Sequence, residues 1–74
     1  MSIVVLPAYL LNNNDPHVTD IIEALRRHLH APVQQIHHYG GFIHLQALAP
    51  RDLVEIACAR YLDGRGIEYE VRSA

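Results

Sequence analysis

The chain has 74 residues, which allows one domain at most and is near the lower limit for a chain that folds alone. Half of the residues are hydrophobic and 19% are charged, a composition typical of globular rather than disordered proteins. The net charge is −2 with neutral histidines, which disfavours a role in holding nucleic-acid phosphates. We therefore predict a single domain over residues 1–74 and no nucleic-acid partner.

The basic residues and the cysteine content exclude further classes of chemistry. All six basic residues are arginines, which excludes reactions that need a lysine, such as Schiff-base formation. Cys58 is the only cysteine, so an intramolecular disulfide and a cysteine-rich metal site are excluded. A single thiol fits a reducing compartment, and the apolar start of the chain is too short to span a membrane. These features predict a cytoplasmic protein without a membrane role.

The first half of the chain predicts a strand followed by a helix. Residues 3–10 are an apolar, β-rich run, in which Pro7 should lie at a bulge or near the strand end. Asp15 and Pro16 then predict the start of a helix, with Asp15 as the N-cap and Pro16 at the first helical position. Pro32 ends this helix. Its apolar face is formed by Val18, Ile21, Ile22, Leu25 and Leu29.

A hairpin is predicted in the middle of the chain. Residues 33–39 and 42–48 alternate between apolar and polar side chains on either side of Gly40 and Gly41. Two glycines between alternating runs indicate a type I′ turn, because that turn needs a positive φ at both central positions.

The last third of the chain predicts a second helix and a final strand. Pro50 opens the helix, and Gly64 should end it with a positive φ. Residues 67–72 alternate and predict a half-buried strand. The apolar stripe of the helix consists of Leu53, Val54, Ala57, Cys58, Tyr61 and Leu62.

The element order β-α-β-β-α-β predicts an α+β protein of the ferredoxin-like type. Such a protein has a four-stranded antiparallel sheet in the order 4-1-3-2, with two helices on one face. The topology resembles that of metallochaperone domains, regulatory ACT domains and small chaperones of exported enzymes. The chain lacks the Cys-x-x-Cys motif of metallochaperones, so the resemblance implies a fold and not a function.

The glycine turn also predicts which hairpin side chains share a face of the sheet. Tyr39 should lie opposite Phe42, and side chains alternate between the two faces from there on. The face away from the helices, which we call the open face, is predicted to hold Gln35, His37, Tyr39, Phe42, His44 and Gln46. The core face is predicted to hold Ile36, His38, Ile43, Leu45 and Ala47. The first strand should add Ile3 and Val5, or else Val4 and Leu6, to the open face, and the last strand adds Glu68, Glu70 and Arg72.

An apolar and aromatic open face is costly to leave in water, so we expect a partner to cover it. The first alternative is a second copy, joined by stacked sheets or by paired edge strands. The others are a different protein and, less favoured, a small-molecule, nucleic-acid or metal site. We predict a non-enzymatic interaction module without a cofactor, such as an inhibitor, adaptor or regulatory subunit, including the kind that phages encode. The predicted partner-binding residues are the six hairpin residues of the open face, Gln35, His37, Tyr39, Phe42, His44 and Gln46.

The alternative hypothesis is a metal- or ligand-responsive regulator. His37 and His44 are predicted cross-strand neighbours with Cβ atoms about 5 Å apart, and two imidazoles can share a Zn²⁺, Ni²⁺ or Cu²⁺ ion. A two-fold dimer through this face would bring four imidazoles together. A third hypothesis is a small enzyme with a pocket between helices and sheet. However, no nucleophile and base have a recognisable spacing, and Cys58 falls on the helix stripe, so no catalytic residue is predicted.

Overall fold

The structure, a computed structural model, describes residues 1–74 and contains four strands and two α-helices. In chain order these are β1 (Ser2–Pro7), α1 (Val18–Leu29), β2 (Val33–Tyr39), β3 (Phe42–Ala47), α2 (Arg51–Leu62) and β4 (Glu70–Ser73). The strands form one antiparallel sheet in the order β2-β3-β1-β4, which confirms the predicted α+β fold and strand order. Neither helix is long and apolar enough to cross a membrane.

The hydrophobic core lies between the two helices and one face of the sheet. Alternate residues of β3 are fully buried on this face, as the predicted alternation requires. The helices contribute the buried side chains of their apolar stripes. Among the largest core side chains are Leu6, Leu10, Ile21, Leu25, Ile43, Leu45 and Leu62. The opposite face of the sheet carries no helix.

β1 is shorter than the predicted strand over residues 3–10. It ends at Pro7, and Ala8–Leu11 form a 3-10 turn instead. Pro7 has no N–H for the ladder, so the prediction that it lies near the strand end is confirmed. The residue after Pro7 makes one more hydrogen bond to the hairpin: the Ala8 N–H donates to the Gly41 carbonyl at a distance of 2.9 Å.

The predicted start of α1 at Asp15 and Pro16 is wrong, because His17 is the N-cap and the helix begins at Val18. The Nδ1 atom of His17 accepts a hydrogen bond from the Thr19 N–H, and the Asp20 carboxylate accepts one from the His17 N–H. The Nε2 atom of His17 lies 2.9 Å from the Leu11 carbonyl and, in this tautomer, donates to it. A histidine therefore replaces the aspartate expected at the helix start.

The second helix departs from its predicted stripe at one residue. Val54, Ala57, Cys58 and Leu62 are buried as predicted, but Leu53 is 50% exposed because it lies on the outer side of α2. Gly64 was expected to have a positive φ; that conformation is found at Gly66 instead, with a φ of 67°. A short 3-10 segment, Asp63–Arg65, extends the helix and moves the reversal of the chain by two residues.

The Gly40-Gly41 turn has the predicted geometry, with φ values of 61° and 78°. The register beyond it is correct only as far as His37. A bulge at Ile36 shifts the pairing, so that Gln35 lies opposite Leu45 and Gln34, not Gln35, lies opposite Gln46. Gln35 is therefore wrongly placed on the open face, because an extra residue in one strand exchanges the faces of every residue beyond it.

His38 lies opposite Ile43, as predicted for the core face, yet its side chain is exposed. β2 is an edge strand, and only Val33 at its start is fully buried. Ile36, also expected on the core face, lies at the bulge and is half-buried. The core therefore reaches β2 at one end only.

His30, the C-cap residue that follows α1, allows a test of the left-handed backbone conformation at the end of this helix. It has a left-handed conformation with φ 52°, which costs a residue with a Cβ about 1 kcal/mol, and its side chain is exposed. His30→Gly should therefore raise the melting temperature by about 4–8 °C in calorimetry. His30→Ala is the control, since it removes the imidazole and keeps the Cβ. An equal gain for both variants, or none for glycine, would contradict this account of the helix end.

Candidate functional site

The open face is formed by residues from all four strands. Phe42, His44 and Gln46 of β3 lie on the side opposite their buried neighbours. Val5 lies opposite His44 in the register, which settles the choice for β1 in favour of Ile3 and Val5. The other residues of the open face are Gln34, His37 and Tyr39 of β2, and Glu70 and Arg72 of β4. Five of the six predicted hairpin residues are thus brought together.

Three rings form a cluster on the open face. The ring of Tyr39 stacks on that of His44, with centroids 5.2 Å apart and an angle of 16° between the planes. His37 meets Tyr39 and His44 edge-on, at 5.9 and 6.3 Å. Stacking and T-shaped contacts hold side chains in place. The three rings therefore form one packed cluster, in which His44 is half-buried between the exposed rings of His37 and Tyr39.

The exposed aromatic area is large for so small a chain. Phe42 is 51% exposed and Tyr39 is 63% exposed, and they lie opposite each other beside the glycine turn. Val5 is buried at the centre of this face, since His44 and Glu70 flank it on the neighbouring strands. The open face therefore has an apolar centre, aromatic sides and a polar edge.

His37 and His44 are register partners, as predicted, but they make at most half of a metal site. No group of three or more potential metal ligands occurs in the chain. The Nδ1 of His44 is buried without a hydrogen-bond partner. Histidines that bind metal through one nitrogen usually donate the other N–H to a carboxylate or carbonyl. The histidine pair therefore needs ligands from elsewhere, and His44 lacks the second contact that metal ligation favours.

An open cleft of about 460 Å³ occupies one end of the open face. It exists because β4 begins at Glu70, opposite Val5, so that Leu6 and Pro7 have no strand neighbour on that side. The last strand was predicted to begin at residue 67, and this start is wrong. Residues 67–69 keep the expected alternation of burial but make no ladder. The cleft is lined by Val5, Leu6, Pro7, Tyr39, Gly40, Phe42, His44, Glu68, Tyr69, Glu70 and Arg72.

The charges of the cleft are partly compensated. Arg72 donates two hydrogen bonds to the Glu70 carboxylate, at 2.8 and 3.3 Å. These bonds and the guanidinium charge hold the pKa of Glu70 below its usual value and raise that of Arg72. Burial, followed by the negative charge of Asp63, raises the pKa of Tyr69, whose side chain packs against the core on the helix side of the sheet. Glu68 is exposed and forms no ion pair.

Sequence reasoning missed Gln34, Pro7 and Tyr69 as residues of this surface. Gln34 was missed because no residue pattern in β2 signals the bulge. Pro7 was missed because the first predicted strand continued beyond the end of β1. Tyr69 was missed because the last predicted strand began before the start of β4. Pro7 itself was the available signal, since its missing N–H marked where the first ladder would stop.

None of the protein-family models matches the chain, and neither a curated protein nor a solved structure matches it.

Cys58, the one thiol of the chain, lies on α2 away from the open face and is fully buried. Burial, followed by the charges of Asp63 and Glu55, raises its pKa to about 12. The thiolate is the reactive form, so native protein at pH 8 should react with a disulfide reagent at least about a hundredfold more slowly than unfolded protein. Absorbance of the released thiol measures both rates. Equal rates would show that Cys58 is accessible.

Proposed function

We propose that this chain is a small, non-enzymatic protein-interaction module that acts through its open face, and that a second copy of the chain is its partner. The observation that carries the proposal is the exposure of Phe42 and Tyr39, at 51% and 63%, on a sheet face that no helix covers. Aromatic side chains with this exposure are typical anchors of an interface.

Stacking of two open faces is better supported than pairing of edge strands. The edge at β2 carries the bulge at Ile36, and bulges disfavour the addition of another strand. The opposite edge is β4, which has only four residues. Neither edge offers a long, regular ladder, whereas the open face extends over all four strands.

The size of the open face predicts the strength of the dimer. Four strands about 4.8 Å apart, with about six residues at about 3.3 Å each, give a flat area of roughly 400 Å² per copy. Two stacked copies then bury roughly 800 Å², which is below the size of stable specific interfaces and in the range of weak, transient ones. We therefore expect a dimer with a dissociation constant in the micromolar range rather than an obligate one.

Charge on the open face is compatible with stacking. Glu70 and Arg72 neutralise each other within one copy, so their approach to a second copy brings no net charge into the contact. The uncompensated carboxylate, Glu68, lies at the end of the face and can remain at a wet rim.

The surroundings of the candidate nucleophile, Cys58, and of the candidate base, His44, support a non-enzymatic role. Cys58 is buried in the core, and the Nδ1 of His44 has no carboxylate or carbonyl to orient the ring as a general base. The proposed work of the chain is therefore stoichiometric, as in an inhibitor, adaptor or regulatory subunit.

The proposal is tested by placing a charge at an aromatic anchor of the expected interface. Phe42→Glu should weaken the dimer at least about tenfold, because a buried carboxylate without a partner opposes association. Sedimentation equilibrium across about 5–500 µM chain measures the change, with circular dichroism to confirm folding.

Leu53→Glu is the matched control, since Leu53 is 50% exposed, nearly as much as Phe42, but lies on the helix side. It should leave the dissociation constant unchanged. A chain that stays monomeric to 500 µM, or a dimer broken by the Leu53 variant alone, would overturn the proposal. A dimer lost on adding EDTA would favour the histidine-metal hypothesis instead.

A further inference from the structure

We propose that the cleft at the end of the open face binds a small organic cation that carries an aromatic or alkyl group. This inference goes beyond the interaction proposed above, because every wall of the cleft belongs to a single copy of the chain.

The size of the cleft is that of a small-molecule site. Its volume of about 460 Å³ lies in the range of sites that hold compact ligands. The floor is apolar and consists of β1 residues, of which Val5 and Leu6 are buried. Glu68 and Tyr69, which precede β4 and pair with no strand, form the outer wall. The backbone therefore creates the cleft, and no side chain has to move to open it.

The charge of the cleft selects the sign of the ligand. Arg72 is the only cationic side chain in its lining, and Glu70 holds it with two hydrogen bonds. Glu68 has no ion pair and leaves the cleft with one uncompensated negative charge. A cation near Glu68 gains this attraction, whereas a carboxylate ligand is repelled by the same charge.

The aromatic rings select the rest of the ligand. The rings of Tyr39 and Phe42 lie on the open face and line the cleft, and the faces of such rings attract ammonium and guanidinium groups. The chain makes one such contact elsewhere, where the Arg65 guanidinium lies 4.0 Å from the centre of the Tyr61 ring. An ammonium group beside Glu68, with its apolar part over Val5, satisfies both the charge and the floor of the cleft.

Three matched probes test the inference: 2-phenylethylammonium, 3-phenylpropionate and 2-phenylethanol. They share the phenyl group and the two-carbon chain, and they differ in charge. Titrations followed by amide chemical shifts should show the ammonium probe binding with a dissociation constant of about 1 mM, as its size suggests. The carboxylate probe should bind at least tenfold more weakly, and the shifts should map to residues 5–7, 39–44 and 68–72.

Glu68→Gln should weaken binding of 2-phenylethylammonium at least threefold, since it removes the uncompensated charge and keeps the shape of the side chain. Asp52→Asn, on the exposed side of α2, is the control for loss of one negative charge and should have no effect. Equal binding of ammonium and carboxylate probes, no shift at 10 mM ammonium, or shifts outside the cleft would overturn the inference.

The same titrations separate this inference from the proposed dimer. Sedimentation of each sample reports whether the chain is monomeric or dimeric while the shifts report binding. A monomer that binds the ammonium probe would uphold the cleft and overturn the dimer. Because Tyr39 and Phe42 belong to both surfaces, the dimer competes with the ligand. A chain that dimerises, yet binds no cation at concentrations where it is monomeric, would uphold the dimer and overturn the cleft.

Discussion

The central physical constraint on this molecule is that two helices of twelve residues cover only one face of a four-stranded sheet. That face becomes the core, where the alternate residues of β3 are fully buried. The other face has no covering element within the chain, so its side chains meet either water or a partner. Contact with a second copy, the partner proposed above, would remove the exposed rings of Tyr39 and Phe42 from water.

The order of the elements and the strand order could be predicted from the sequence because local signals agreed with the fold. Gly40 and Gly41 predicted the hairpin turn, and the alternation of apolar and polar residues in β3 predicted which of its side chains face the core. The bulge at Ile36 could not be predicted, because it depends on how the edge strand fits its neighbour rather than on its own residues. That one extra residue placed Gln34, instead of Gln35, on the open face.

Strand ends were the other limit of sequence reasoning, and the cleft depends on them. Apolar residues continue after Pro7 and before Glu70, yet the ladders stop there. Ile67 remains buried without pairing, so its burial pattern alone looks like that of a strand. Pairing needs a neighbour with free hydrogen-bonding groups, and this is a property of the assembled sheet. The notch left between the two ends holds Glu68, the one carboxylate of the cleft without an ion pair.

The most direct test of the central claim is an isotope-filtered NMR experiment on an equal mixture of labelled and unlabelled chain. It detects contacts between copies and ignores contacts within one copy. We expect intermolecular contacts from the rings of Tyr39 and Phe42 and the methyl groups of Val5, and none from the helices. Intermolecular contacts at Leu53 or Ile56, the exposed apolar residues of α2, would contradict it, as would their complete absence at millimolar concentration.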